Sequence, residues 1–437
     1  MEQLYCGFAQ SVITPEPRTV YMDGYGFRTT PAEGVRDDLY AKVCAMKSGE
    51  SEFVLVALDI CGFDNRLRDC LRGWIRTCTN LKEHQFSLSA THTHAGPASG
   101  ICKDLPNNYM YWDKVGKIIA KTVEQARANR VPGEFRFAFG KELTLAYNRR
   151  GKGIIDRRVP VCGFFGADGS LIGAIASANC HAVCNKDMNI SADYPGILTR
   201  EAAKKYPGTT FLFLQGHGAD INPLDSREKG MVSYEQLGMD LTECVFAALD
   251  NMTEPGIRQG ILRSRIKNVF TPMAYPPLEE VVDAERIWLQ ILKDTAALEP
   301  QTDATALRCR VATTMIAWNR RVLGRVQKGI PAGIESTIQV AAIGKDAAFV
   351  FIPFELLTLT GLAIEKILKG YGLAAEKCFI LGYSNGTNGY LAPARECGEG
   401  GYETVDSVRW YDTAECIPET EGTVLATVKE LADAILS

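Results

Sequence analysis

The residues best suited to chemistry are two histidines one residue apart, His92 and His94, in the segment FSLSATHTHAGP. The apolar run from Phe86 to Leu88 predicts a buried strand that leads into them. If the extended conformation continues, residues two apart face the same side. Two imidazoles on one side at a strand end are typical of a metal site or a proton-transfer site. The alternative is a polar loop whose histidines face water.

Three more polar residues, His181, Asp220 and Glu355, also follow apolar runs at their C-terminal ends. In α/β sheets this edge is where functional sites gather. Two histidines and one glutamate with an open fourth position form a catalytic zinc ligand set. Zn²⁺ lowers the pKa of bound water to about 7 and makes it a nucleophile at neutral pH. The sequence therefore predicts a zinc hydrolase if the chain brings His92, His181 and Glu355 together.

Other interpretations exist for two of the histidines. His181 also fits a buried, hydrogen-bonded imidazole, or a metal clip with Cys180 and Cys184. Strand alternation turns Cys180 away from His181, and the spacing matches no common zinc pattern, which disfavours the clip. His217 lies between two glycines, which favours a flexible, exposed position.

Composition excludes several classes of protein. The 437 residues are 46% apolar and 23% charged, as in soluble globular enzymes. A net charge of −4 argues against nucleic acid or an acidic membrane surface as the main partner. The longest apolar run, residues 53–63, is strand-length and contains Asp59, so we expect no stable membrane insertion. The N-terminus lacks an export signal and the fourteen cysteines are scattered, which predicts reduced thiols and a cytoplasmic location.

Hydrophobic periodicity predicts the elements that must position these residues. We expect strands at 5–14, 39–46, 53–59, 86–88, 134–139, 159–165, 170–179, 210–215, 337–344 and 347–352. We expect helices at 64–79, 109–129, 233–250 and 421–436, and a surface helical pair at 277–328. Glu355 should open a helix, and the basic cluster Arg320, Arg321 and Arg325 should be a solvated face.

The predicted fold class is α/β, with a large mixed sheet, helices packed around it and the site at the C-terminal ends of strands. Length alone favours two or three domains. Since the candidate residues span positions 92 to 402 without a linker, we expect one domain over 1–437, with 277–328 as a helical lobe.

Six segments also occur in an order that resembles a known family. They are SATHTHAGP, YNRR, SANCHAVCNKDMNISADYPG, FLFLQGHGADINP, PFELLTLTG and GYLAPARECGEGGYE. Together they resemble the N-terminal catalytic domain of the neutral/alkaline non-lysosomal ceramidase family, and the resemblance covers nearly the whole chain. It implies that His92, His181 and Glu355 bind zinc and that Tyr390 is a further ligand. It also implies catalytic roles for His94, Arg149 and Tyr402, and supporting roles for Asp193, Gly196, Asp220 and Asn222.

The chain departs from the family at several places. Asn222 stands where the long ceramidases have Ser or Thr, so a role of that hydroxyl does not transfer. Phe354 replaces the usual glycine before the glutamate. The chain ends soon after the tyrosine stretch, so we expect that it lacks the family's C-terminal immunoglobulin-like domain.

These observations lead to one expected function and two alternatives. We expect a zinc-dependent hydrolase that cleaves the amide bond of a small soluble N-acyl substrate rather than of membrane ceramide. The same ligands would also open a lactone or another ester. A non-catalytic module that binds a small molecule or a partner is disfavoured because all four candidate ligands are present. The sequence leaves the oligomeric state open.

Overall fold

Strands and helices follow one another along the residues that the computed structural model describes, 2–226, 230–298 and 302–437. The strands, in chain order, are β1 (Leu4–Val12), β2 (Gly34–Val35), β3 (Tyr40–Ser48), β4 (Ser51–Leu58), β5 (Phe86–Ala90), β6 (Val131–Phe139), β7 (Ala146–Asn148), β8 (Pro160–Gly166), β9 (Leu171–Ala178), β10 (Asn189–Ile190), β11 (Thr210–Gln215), β12 (Ile221–Pro223), β13 (Asp225–Ser226), β14 (Gly230–Met231), β15 (Leu262–Pro272), β16 (Gly333–Ile343), β17 (Ala347–Phe351), β18 (Glu355–Leu356), β19 (Cys378–Leu381) and β20 (Tyr390–Leu391). The α-helices are α1 (Asn65–Thr79), α2 (Tyr109–Ala128), α3 (Tyr194–Lys205), α4 (Tyr234–Asp250), α5 (Leu278–Ala296), α6 (Asp303–Gln327), α7 (Thr358–Lys369), α8 (Val408–Tyr411) and α9 (Pro418–Leu436).

Local signals explain where several helices begin. Asp64 caps α1 by accepting a hydrogen bond from the Leu67 amide. The closing helix α9 begins at Pro418, three residues before its predicted start, because proline is well suited to the first helical turn. The expectation that Glu355 opens a helix is wrong: Glu355 lies in β18, and α7 begins at Thr358.

The large sheet has eight strands in the order β11-β9-β8-β6-β1-β3-β4-β5. It is mixed: β9 with β11 and β4 with β5 are parallel pairs, and the other neighbours are antiparallel. The parallel pairs lie at the two edges of the sheet, and they contain the strands that lead into His92 and His181.

A second sheet, β15-β16-β17-β19, packs face to face against the large one. Phe53 of β4 contacts Phe351 of β17, with ring centroids 5.7 Å apart, and Phe137 meets Phe379 at 6.3 Å. Helices α1 and α2, and further along α3 and α4, cover the outer face of the large sheet, while α7 and α9 cover the small sheet. The mixed α/β fold class is thereby confirmed, as a helix–sheet–sheet–helix sandwich.

Helices α5 and α6 pack against each other as a hairpin, in the region predicted as a surface helical pair. Trp318 of α6 is buried and its indole N–H donates to the carbonyl of Thr413. Two members of the basic cluster, Arg321 and Arg325, bind Asp412, so the expectation of a solvated face is wrong for them. Among the helices of the described ranges, none is both long and apolar enough to cross a membrane.

Candidate functional site

The two histidines of the THTH segment converge, but not by continuing the strand. Strand β5 ends at Ala90, and His92 takes a left-handed backbone conformation with φ 64°. Such a conformation is uncommon outside glycine and marks a position that the surroundings hold in place. The resulting turn brings Nε2 of His92 to 3.0 Å from Nε2 of His94.

Backbone carbonyls fix the orientation of both rings. Nδ1 of His92 lies 2.6 Å from the carbonyl oxygen of Cys61, and Nδ1 of His94 lies 3.1 Å from that of Gly24. Because a carbonyl can only accept, each Nδ1 carries the hydrogen and each Nε2 keeps a lone pair. Burial lowers the pKa of His92 to about 4 and holds the pKa of His94 well below its ordinary value, so both rings are neutral at pH 7.

His181 is held in the same manner on the neighbouring segment. It follows β9, and its Nδ1 lies 3.0 Å from the carbonyl of Gly218 and 3.2 Å from that of Ile221. Its Nε2 is buried and finds no hydrogen-bond partner among the described residues. The clip with Cys180 and Cys184 does not form: of the described residues, the groups that could hold a metal are His92–His181–Glu355 and Cys61–His92–His94.

Glu355 brings a carboxylate to the two imidazoles. Its Oε2 lies 3.5 Å from Nε2 of His92 and 3.3 Å from Nε2 of His181. Burial alone would raise the pKa of this carboxyl, but the two imidazoles and a hydroxyl from Tyr411 hold it well below its usual range. The group is therefore an ionised carboxylate between the two imidazoles.

This arrangement fits a zinc ion. Ligand atoms bound tetrahedrally at about 2.0–2.1 Å lie about 3.3 Å from one another, close to the distances from Glu355 to the imidazoles. The buried, unpartnered Nε2 of His181 is a further sign, because an orphaned lone pair in the interior is costly without a ligand. Burial keeps the pKa of Cys61 well above its usual value, so the protonated thiol makes the group with Cys61 a poorer metal site.

Arg149 lies at the centre of the remaining predicted residues. Its Nε donates to Glu403 at 2.8 Å, Nη1 to Asn222 at 3.2 Å and Nη2 to the hydroxyl of Tyr390 at 3.2 Å. The guanidinium also lies 5.6 Å from the ring centroid of Tyr402. Four predicted site residues are thus brought into one network, and Glu403 joins it without having been predicted.

The tyrosines are distributed differently from the prediction. The hydroxyls of Tyr411 and Tyr383, neither of which was predicted, donate to Glu355. Tyr390 lies opposite Glu355 in the β18–β20 pair, but its hydroxyl contacts Arg149. Its role as a metal ligand therefore stays a prediction. Tyr411 lies beyond the segment GYLAPARECGEGGYE, so no motif of the sequence indicated it.

Two of the supporting residues hold segments of the chain together. Asp220 accepts from the side chain of Asn148 and from the amide and hydroxyl of Thr358, and so caps α7. Asp193 caps α3 and accepts from the amide of Asn185. Burial raises the pKa of Asp193 to about 6.

The two glycines beside His217 led us to expect an exposed side chain, and this expectation is wrong. His217 is 5% exposed, and its Nε2 lies 3.2 Å from a carboxylate oxygen of Asp156. The glycines are required by close packing: a Cβ on Gly216 would lie 2.2 Å from Oδ1 of Asn179, and one on Gly218 would lie 2.4 Å from the carbonyl carbon of the same residue.

A pocket of about 590 Å³ opens beside Arg149. Its lining combines charged side chains of both signs with one aromatic ring, and consists of Arg149, Arg150, Lys152, Glu399, Gly400, Gly401, Tyr402 and Glu403. Tyr402 is 45% exposed at this opening. Arg149 lines the pocket and also contacts Tyr390, so it connects the opening with the interior of the site.

Comparison with solved structures identifies the fold. Neutral ceramidase from Pseudomonas aeruginosa matches 100% of this chain and 75% of its own, with a TM-score of 0.77 and 18% sequence identity. A structure titled "Ceramidase complexed with C2" matches 99% of this chain and 75% of its own, with a TM-score of 0.76 and 17% identity. No family model and no curated protein matches the sequence. The resemblance predicted from the six motifs is confirmed at the level of the fold.

Proposed function

We propose that this chain is a zinc-dependent hydrolase of amide bonds, with His92, His181 and Glu355 as the metal ligands. The observation that carries the proposal is the convergence of two imidazoles and one carboxylate, with the carboxylate oxygen 3.3 and 3.5 Å from the two imidazole nitrogens. A zinc ion held there would supply Lewis acidity and an activated water. The ceramidase fold supports a hydrolase with this site.

Arg149 is suited to stabilise the negative charge that develops on the substrate carbonyl oxygen. Its contacts with Glu403, Asn222 and Tyr390 hold the guanidinium in one orientation before substrate arrives. Preorganised donors of this kind contribute about 3–4 kcal/mol each to transition-state stabilisation. Tyr402, against the same guanidinium, lies at the pocket where substrate would enter and can donate a second hydrogen bond.

His94 is suited to proton transfer to the leaving amine. Its Nδ1 donates to Gly24, so Nε2 is free to accept a proton and pass it on. The T-shaped contact with the ring of Tyr25, at 5.4 Å between centroids, limits rotation of the imidazole.

The charged pocket supports a small soluble N-acyl compound as the substrate. Its lining offers ionic and hydrogen-bonding groups and only one aromatic ring, which suits a polar amine or acyl group better than a long alkyl chain.

The metal assignment is tested by elemental mass spectrometry on protein purified without added metal. We expect about one zinc per chain, lost in His92→Ala and His181→Ala and kept in the matched control His84→Ala, which is outside the group. Folding of each variant is checked by circular dichroism. Full zinc content and full activity in His92→Ala would overturn the assignment.

The reaction is tested with pairs of substrates that share an acyl group and differ in an amide or ester bond. We expect hydrolysis of a short N-acyl amine, and little hydrolysis of an N-acylsphingosine presented in detergent micelles. Preference for the ester member would move the assignment to a lactone or ester hydrolase. A filled metal site with neither activity would favour the non-catalytic module.

A further inference from the structure

Two cysteines lie in contact beside the candidate site. The Sγ atoms of Cys397 and Cys416 are 3.1 Å apart, although the residues are 19 positions apart in sequence. Cys397 follows a short 3-10 turn, Ala394–Glu396. Cys416 lies just before Ile417, the N-cap residue of α9. All fourteen cysteines lie within the described residues, and each is a free thiol in this structure.

The segment between these two cysteines, residues 398–415, contains three side chains of the site. Glu403 binds Arg149 and Arg150, Tyr402 lines the pocket, and Tyr411 donates to Glu355. The two sulfurs therefore stand at the base of a loop whose middle forms one wall of the pocket.

The two ends of the loop differ in how firmly they are held. Glu415, next to Cys416, pairs with Ala274 through backbone hydrogen bonds in both directions. Residues 398–401 include three glycines, two of them with positive φ, and the neighbouring Glu399 carboxylate pairs with Lys152 near the surface. The Cys397 side is thus the end at which the loop can open.

The surroundings of the two thiols suit exchange chemistry. Cys397 is partly exposed, whereas Cys416 is 6% exposed. A hydrogen bond from Cys397 lowers the pKa of Cys416, so the pair can lose one proton more readily than an isolated buried thiol. An accessible sulfur next to a buried thiolate is the arrangement in which a mixed disulfide is resolved within the protein.

We propose that Cys397 and Cys416 form a reversible disulfide that closes the loop 398–415 over the candidate site. The oxidant is a low-molecular-weight disulfide such as oxidised glutathione. The Cys416 thiolate takes the proton of Cys397, and the Cys397 sulfur attacks one sulfur of this disulfide. The departing thiolate takes that proton from Cys416 and leaves as the first small thiol. The Cys416 thiolate then attacks the Cys397 sulfur and releases the second. The protein loses two protons and two electrons, and the small disulfide becomes two thiols.

A second cysteine pair provides an internal control. The Sγ atoms of Cys6 and Cys44 are 3.3 Å apart, but both residues are 0% exposed inside the sandwich. A small disulfide cannot reach these sulfurs in the folded protein. If proximity of the sulfurs were sufficient, both pairs would form disulfides. If the small disulfide must also reach a sulfur, only Cys397 and Cys416 form one.

The test equilibrates the full-length protein in glutathione buffers of increasing oxidised fraction, traps free thiols by alkylation, and maps the peptides by mass spectrometry. We expect a 397–416 linked peptide, two fewer free thiols per chain, and complete reversal by reduced glutathione. Cys397→Ser should lose both effects, and Cys6→Ser should keep them. No linked peptide at any buffer composition, or linkage of Cys6 to Cys44 under the same conditions, would overturn the proposal.

Closure of the loop has its own readout, which does not depend on catalysis. Hydrogen exchange of the amides in 398–406 should slow in the oxidised protein relative to the reduced protein, and Cys397→Ser should show no difference between the two buffers. Exchange that stays unchanged on formation of the disulfide would overturn the proposed closure. The metal content need not change, so failure here is distinguishable from failure of the zinc assignment.

Discussion

At the scale of single residues, the candidate centre depends on which nitrogen of each histidine is free. In His92, His94 and His181 the Nδ1–H group donates to a backbone carbonyl, and Nε2 faces the interior. The sequence predicted that these histidines follow strands, but it could not predict which ring nitrogen of each carries the hydrogen. The carbonyls come from Cys61, Gly24 and Gly218, which are distant in sequence from the rings that they orient.

Tyr411 is predicted to support the metal through Glu355. Its hydroxyl donates to Oε1 of that carboxylate, so Tyr411→Phe leaves a buried carboxylate oxygen without this partner. Loss of such a partner lowers metal affinity about 10–100-fold. Competition with a fluorescent zinc chelator measures the affinity. Tyr371→Phe, whose hydroxyl binds Asp433 on the surface, is the matched control and should bind zinc as the parent protein does.

Asp193 makes the stability depend on pH. Burial raises its folded pKa to about 6, above the unfolded value of about 3.9, so the folded state binds the proton more tightly. This stabilising contribution is complete below about pH 4 and is lost as the pH rises to 6. Asp193→Asn cannot ionise, so its stability relative to the parent should increase by about 2–3 kcal/mol between pH 4 and pH 7.

Urea titrations of the metal-free parent protein and of Asp193→Asn at a series of pH values measure this difference. A difference between Asp193→Asn and the parent that is the same at pH 4 and pH 7 would contradict the raised pKa.

At the scale of elements, the loop that contains Gly24 and the hairpin α5–α6 position His94 from outside the sheets. Arg310 of α6 donates to the carbonyls of Gly26 and Arg28, and Arg28 in turn donates to the carbonyl of His94. The sequence predicted the helices of the hairpin, gave Arg310 no role, and treated the cluster of Arg320, Arg321 and Arg325 as a solvated face. The carbonyl partners of Arg310, and Asp412 as the partner of Arg321 and Arg325, are contacts that no helical periodicity could indicate.

Gly24→Ala is predicted to displace His94. Gly24 has φ +99°, and an added Cβ would lie 2.5 Å from the imidazole Cγ. We expect a destabilisation of about 1 kcal/mol or more from the backbone alone and a fall in kcat that approaches that of His94→Ala. Thermal unfolding and steady-state kinetics measure both effects.

The matched control is Gly73→Ala in α1, where a Cβ meets nothing within 4 Å. This substitution should stabilise the helix by about 0.5–1 kcal/mol and leave kcat unchanged. Equal effects of Gly24→Ala and Gly73→Ala on kcat would show that the contact with His94 is not required.

At the scale of the whole molecule, the sequence predicted most long elements to within a few residues and placed the site at strand ends. Strands β5, β9, β11 and β17 do lead into His92, His181, Asp220 and Glu355. The pairing of two sheets could not be predicted, because it depends on non-local contacts such as Phe53 with Phe351. The two-residue strands β18 and β20 were not predicted for the same reason, since their pairing follows from the packing around them.

Phe351 tests whether the sandwich and the site form one cooperative unit, as the expected single domain over 1–437 requires. The ring is fully buried between the sheets, at the end of the strand that leads into Glu355. Phe351→Ala should cost about 3–5 kcal/mol, while Met110→Ala, 87% exposed, should stay within about 0.5 kcal/mol. Urea unfolding of the metal-free protein, followed by tryptophan fluorescence and far-UV circular dichroism, should give coincident transitions that shift together. Separate transitions, with only one moved by Phe351→Ala, would show that the two sheets unfold independently and that the chain contains more than one domain.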